Sequence, residues 1–506
     1  MNVSPILRFA LVGAVISSSV RADVKLPAIL SDHMVLRRTA KVPVWGNAAP
    51  DEDVTVSLNG QTAKAEADAA GKWMTFLNLE DSAPGPFEMT VTGTNKLTLS
   101  DVVVGEIWLA SGQSNMAMTV GATTDAAREI AGSANPMLRQ FTVPRNATTK
   151  PQDDTRGSWV TASPKTTGSF SAAGYFFIRK LHGELKVPVG LVNSSWSGTA
   201  IEGWISMEGT DSVPDLKRLR ERNYASIDGY PAQKNPPAPE KVGGCLFNGM
   251  INPLRPCAIS GVIWYQGEAN ARNASQYRTT FPLLIADWRK QWNQGDFPFY
   301  FCQLANHMGK RSMPGDSNWA ELREAQSMAL KVPNTGQAVL IDIGEANDIH
   351  PRDKKDAGER LARLALANDY GKAIPSSGPV YDSMKIGNSR AILSFKHADA
   401  GLVARPLPDT YIVKSSAKET APLVRNSPGS ELEGFAICGE DKEWVWADAR
   451  IDGATVVVWS DKVPAPVAVR YAWADNPTCN LFNGAGLPAS PFRTDDFAPA
   501  TLDPKK

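Results

Sequence analysis

Between Asp101 and Tyr370, short apolar runs alternate with longer segments of helical period, and this alternation constrains the fold more than any other feature of the chain. The runs Val102–Ala110, Val187–Asn193, Ile259–Tyr265, Phe299–Leu304 and Ala338–Ile343 are nearly unbroken by polar residues, as expected of strands covered on both faces. Helical segments lie between and after them, at Ala172–Leu185, Tyr277–Trp292, Trp319–Leu330 and Asp356–Tyr370. Strands alternating with helices predict an α/β domain, with a parallel sheet and crossover helices, over residues 101–372. In such sheets ligands bind beyond the carboxyl ends of the strands. Residues 211–242, rich in charge, Pro and Gly, read as an insertion loop with one short helix, placed to help build a substrate pocket.

The flanks have a different texture. Short alternating runs such as Val54–Leu58 and Thr455–Val458 are punctuated by Asn59-Gly60, Ala70-Gly71, Gly387-Asn388 and Asp452-Gly453. Turn signals at this spacing predict β-sandwich-like modules over residues 23–100 and 373–506. Residues 1–22 carry Arg8, an apolar run from Phe9 to Ile16, and small residues at Val20 and Ala22. That is the layout of a signal peptide, and the run is too short to span a bilayer. The expectation is export to the periplasm or the medium, with no membrane span.

Composition removes several function classes. The 53 Lys and Arg balance the 53 Asp and Glu, so nothing in the average charge asks for a nucleic-acid partner or an acidic membrane. Five cysteines in 506 residues do not make a disulfide scaffold, although Cys438 with Cys479, or Cys245 with Cys257, could pair. No cysteine or histidine stands at zinc-ligand spacing, so a structural metal is not expected.

The strand ends hold the chemistry. The first run leads into Ser111-Gly112-Gln113-Ser114-Asn115-Met116, which puts Ser114 on a tight strand-to-helix turn. The backbone N–H groups there are free to hold an oxyanion beside a nucleophilic hydroxyl. A serine at such a junction is equally an ordinary helix N-cap. The second run ends in Trp196-Ser197-Gly198-Thr199, where Gly198 permits close approach of its N–H to a substrate oxygen or simply makes a turn. The third ends in Gln266-Gly267-Glu268-Ala269-Asn270, a polar cluster suited to a pocket floor. The last leads through Asp342, Glu345 and Asp348 to His350. A histidine there can take the proton of Ser114, with an acid fixing its tautomer.

Gly105-Glu106-Ile107-Trp108, Ser111–Met116, Trp264–Asn270 and Asp348-Ile349-His350-Pro351 together resemble the sialate O-acetylesterase family, a carbohydrate-esterase branch of the SGNH (GDSL-like) hydrolases. Leu26–Leu36 resembles the family's N-terminal β module, and Arg470–Pro477 with Leu487–Thr494 resembles its C-terminal end. The resemblance implies a three-layer SGNH-hydrolase-like domain and a serine esterase that removes O-acetyl groups from a carbohydrate through an acetyl-Ser114 intermediate. It further implies His350 as general base, Gly198 and Gln266 as oxyanion donors, and Gln113 and Asn115 as substrate-site neighbours within the same motif. The acid of the triad stays open between Asp348 and Glu268, because the wider superfamily's position three residues before the histidine is Asn347 here. The implied chemistry needs no metal or organic cofactor, and sialate, acetylated xylan and other acetylated glycans all fit it.

Two further readings fit parts of the chain. A carboxylate-pair glycosidase would use Glu268 with Glu345 or Asp348, and would make Ser114 dispensable. An inactive carbohydrate-binding protein would use some of the 14 tryptophans as stacking platforms, although Trp108 and Trp264 fall in core strands.

Overall fold

A computed structural model describes residues 23–227, 238–413 and 419–502, so the expected signal peptide lies outside the described residues. The central sheet contains β1 (Lys96–Gly112), β2 (Asn135–Thr142), β3 (Trp159–Ala162), β4 (Val189–Ser195), β5 (Gly261–Tyr265), β6 (Phe299–Cys302) and β7 (Thr335–Ala338). Its order is β7-β6-β5-β1-β4-β2-β3, parallel throughout except for β3, which runs antiparallel to β2. Strand β1 therefore sits in the middle, and its carboxyl end opens between those of β4 and β5. That is where order reverses in a doubly wound sheet, the usual place for a ligand.

Helices cover both faces. On one side α2 (Ala172–Leu185) and α5 (Lys354–Asn368) bury Phe176, Phe177, Leu361 and Leu364 against Trp108 and Ile263. On the other, α3 (Ala274–Trp292) and α4 (Asn318–Met328) bury Tyr277, Phe281, Trp288 and Leu322 against Trp264 and Phe299. Trp108 and Trp264 are both fully buried, so they pack the core and are not stacking platforms. A single turn, α1 (Ser114–Ala117), follows β1 directly.

The amino-terminal strands join the sheet through β1 itself. Its first part pairs antiparallel with Phe87–Thr92, and from Val102 to Gly112 every residue is buried. The strand changes partners at Asp101, where φ is 54° and the carboxylate bonds His33 and the buried Arg139. Asn59 and Gly60 both take positive φ between Asp53–Leu58 and Gln61–Glu66, as a two-residue hairpin turn requires. The carboxyl-terminal region forms two four-stranded sheets. One contains Val380–Gly387, Arg390–Lys396, Thr455–Trp459 and Asp448–Asp452; the other contains Phe435–Cys438 and Ala468–Tyr471 with shorter edges.

Three expectations need correction. The last strand of the sheet is Thr335–Ala338, not Ala338–Ile343. Val339 and Ile341 owe their apolar character to the core of the carboxyl-terminal sheets, where they pack with Leu393, Val456 and Tyr471. Within the expected insertion loop 211–242, the helix Pro214–Ile227 is longer than the short one expected from composition, Pro239–Lys241 makes a 3₁₀ turn, and residues 228–237 lie outside the described residues. No disulfide joins any of the five cysteines, so neither candidate pair forms. Among the described residues, no helix is long and apolar enough to cross a membrane.

Candidate active site

The turn that presents Ser114 is built by its neighbours. Gly112 has φ of 134°, and a Cβ there would lie 2.2 Å from the Tyr265 carbonyl oxygen, so only glycine lets β1 leave the sheet beside β5. The Gln113 N–H then donates to that same carbonyl at 3.0 Å, and its own carbonyl accepts from Met116 and Ala117 to start α1. Gln113 thus occupies the cap position, and Ser114 is the first helical residue, leaving its hydroxyl free for other work.

That hydroxyl meets His350. Ser114 Oγ and His350 Nε2 are 2.8 Å apart, although 236 residues separate them in sequence. On the far side of the ring, Nδ1 lies 3.2 Å from Asp348 Oδ1. The same Oδ1 accepts the backbone N–H of His350 at 2.8 Å. Asp348 therefore curls back over its own turn, in the Asx manner. This is how a carboxylate only two residues away reaches the imidazole. The histidine side chain keeps 38% of its exposure, enough for a substrate to reach it.

Glu268 lies elsewhere. Its Oε1 accepts Asn115 Nδ2 at 2.5 Å, and its Oε2 is buried with no hydrogen-bond partner. Burial pushes its carboxyl above the ordinary range, although Asn115 and the charge of Lys354 oppose the shift. Of the two candidate acids, the structure brings Asp348 to His350 and leaves Glu268 beneath Asn115.

Gln266 is fully buried, and its amide nitrogen donates to Thr199 O at 3.2 Å and Asn270 Oδ1 at 2.7 Å. Tyr277 donates to its Oε1 at 2.9 Å. With both N–H groups taken, Gln266 presents nothing to a substrate oxyanion. It braces the loop that carries Gly198, helped by Asn270, which accepts the Ile201 N–H at 3.0 Å and donates to both oxygens of Glu202. Burial raises the Glu202 carboxyl too. Gly198 itself has φ of 74°, faces open space, and its N–H donates to no other group among the described residues. Gln113 turns its side-chain oxygen to the Ala269 N–H at 3.2 Å and the Gly267 N–H at 3.5 Å.

Sequence reasoning missed Lys354, the first residue of α5. It is fully buried, and Nζ donates to Asn115 Oδ1 at 2.7 Å and to Pro351 O at 2.5 Å. A signal was present: a lysine at a helix amino terminus stands at the wrong end of the helix dipole, so some other contact must hold it there. Glu202 was also passed over, and nothing in its spacing marks it.

The parallel sheet with a hydroxyl, an imidazole and a carboxylate in series at its central strand end defines a hydrolase built on an α/β scaffold. A family model described as carbohydrate esterase, sialic acid-specific acetylesterase, matches residues 104–367. Sialate O-acetylesterase of Mus musculus is 30% identical over 548 residues, covering 95% of this chain and 96% of the relative. The Homo sapiens sialate O-acetylesterase is 30% identical over 520 residues, covering 92% of each. A carbohydrate acetylesterase from Xanthomonas citri is 37% identical, with a TM-score of 0.80 over 94% of this chain and 100% of the other. The chain belongs to the sialic acid-specific acetylesterase family of carbohydrate esterases. It is a carboxylic ester hydrolase that removes O-acetyl groups from carbohydrate.

Proposed function

We propose that the chain is an exported serine esterase whose acetyl group passes through Ser114, and that its substrate is an O-acetylated sialic acid. The observation that carries the mechanism is the 2.8 Å approach of Ser114 Oγ to His350 Nε2, with Asp348 on the opposite ring nitrogen. Asp348 holds the tautomer that leaves Nε2 free to accept a proton. As Ser114 Oγ bonds to the acetyl carbon, its proton moves to Nε2, and the imidazolium is stabilised by Asp348. The carbonyl oxygen becomes an oxyanion held by the backbone N–H groups of Ser114 and Gly198, each worth about 3–4 kcal/mol in the transition state. The C–O bond to the sugar then breaks, and the departing oxygen takes the proton from Nε2. Water, deprotonated by His350, attacks acetyl-Ser114; acetate leaves and the serine hydroxyl is restored.

The sialate assignment is supported by the names of the mouse and human relatives, and export by the Arg8–Ala22 segment. Acetate release by wild type and Ser114→Ala, from O-acetyl sialic acid and from acetylated xylan, tests both parts. Release that is fastest from the sialic acid and lost in the variant is expected. Preference for xylan would move the substrate to a plant glycan; release that survives the substitution would remove Ser114 from the chemistry.

A further inference from the structure

His350 is flanked by two peptide carbonyls, and both are tied to the turn that bears Ser114. Asn115 Nδ2 donates to Ile349 O at 3.0 Å, on the amino side of the histidine. Lys354 Nζ donates to Pro351 O at 2.5 Å, on the carboxyl side. The two clamping side chains also hold each other, Nζ to Asn115 Oδ1 at 2.7 Å. Asn115 follows Ser114 directly, and Lys354 is four residues after His350, so the clamp joins the backbone of the nucleophile to the backbone of the base.

We propose that Lys354 is a positioning residue of the reaction, which acts through Asn115 and Pro351 to fix the His350 ring against Ser114 Oγ. The proposal rests on the serine-esterase reading above. A fully buried lysine at the positive end of a helix is held against both desolvation and the helix dipole. Both hydrogen bonds of Nζ go to neutral oxygens at the site, so Lys354 gains its place from the geometry it imposes there. The Tyr265 ring centroid lies 5.4 Å from Nζ, and Glu268, Cys302, Asp348 and Asp353 are the titratable groups that act on it. Glu268, with one oxygen on Asn115 and the other unpartnered, is the carboxyl that acts most strongly on the lysine, and it makes no hydrogen bond to Nζ that would take it from the clamp.

Misplacing a catalytic group by about 1 Å costs on the order of 10²-fold in rate. Lys354→Met in the full chain, assayed with 4-nitrophenyl acetate, should therefore lower kcat by about 10- to 100-fold while KM stays within about threefold. Fluorophosphonate labelling of Ser114 should slow by the same factor, because it reads activation of the nucleophile without substrate binding. If Asn115 and Lys354 act as one device, Asn115→Ala combined with Lys354→Met should lose about as much as the worse single variant. A folded Lys354→Met enzyme with wild-type kcat, or losses that multiply in the double variant, would overturn the proposal. Should Lys354→Met not fold, Lys354→Gln is read against the same two criteria. Ser114→Ala is the control: if it stays active the serine reading itself fails, whereas an inactive Ser114→Ala beside a fully active Lys354→Met removes the clamp alone.

Discussion

One oxygen of Asp348 serves His350 twice, accepting its backbone N–H at 2.8 Å and facing its ring Nδ1 at 3.2 Å. The two contacts come from one tight turn, so the carboxylate cannot leave the imidazole without also releasing the backbone that carries it. A local turn of three residues thus places a carboxylate against the imidazole Nδ1.

Asp348→Asn should therefore lower kcat by about 10³- to 10⁴-fold with little change in KM, as expected when a histidine loses the partner that fixes its tautomer. Glu268→Gln keeps an acceptor for Asn115 and should cost less than about tenfold. Steady-state kinetics on the two variants decides between the acids; the opposite ranking would transfer the orienting role to Glu268.

Gln266→Ala should lower stability by about 1–3 kcal/mol, because Tyr277 OH, Thr199 O and Asn270 Oδ1 each lose a buried partner. Urea unfolding measures this. An unchanged stability with a rate loss of about 10²- to 10³-fold would instead mark Gln266 as an oxyanion donor.

The two active-site glycines should behave differently. Gly112→Ala forces a Cβ to within 2.2 Å of the Tyr265 carbonyl oxygen and should destroy the turn, giving insoluble or inactive protein. Gly198 has a similarly unfavourable φ of 74° but open space around it, so Gly198→Ala should fold, with a stability cost of about 1 kcal/mol. Solubility and thermal unfolding of the pair check the contrast.

Burial lowers the Lys354 pKa to about 8 from the ordinary 10.5. Between those values the unfolded chain binds more protons than the folded one, so this group's contribution to stability rises with pH across that window. Below about pH 8 the lysine is charged in both states and its burial penalty is fully present. The stability of wild type relative to Lys354→Met should therefore improve by on the order of 3 kcal/mol between pH 7 and 10.5, measured by urea unfolding at each pH. A difference independent of pH would mean that the lysine titrates normally.

Much of the candidate site is readable from the chain, because Ser114 and Gly198 stand just past the ends of apolar strands, where an α/β sheet puts its ligands, whereas His350 follows its strand by a longer loop. The choice between Asp348 and Glu268 is not, since it depends on a turn in which an aspartate folds back over two residues. Gln266 misleads for a related reason: its motif position is visible, but not that Thr199 and Asn270 consume its amide. Asn135–Thr142 escapes notice as a strand because Arg139 and Gln140 are polar yet buried, held by partners far away in sequence. Ala338–Ile343 shows the reverse error, since apolar residues that serve a neighbouring β region look like sheet core until both are in place.

The central claim is that Ser114 is the nucleophile His350 activates. Wild-type protein treated with a fluorophosphonate and digested should carry one adduct, on the peptide containing Ser114. His350→Ala should label at least about 10³-fold more slowly, and Ser114→Ala should not label. An adduct on any other residue, or equal labelling of the Ser114→Ala protein, would contradict the account.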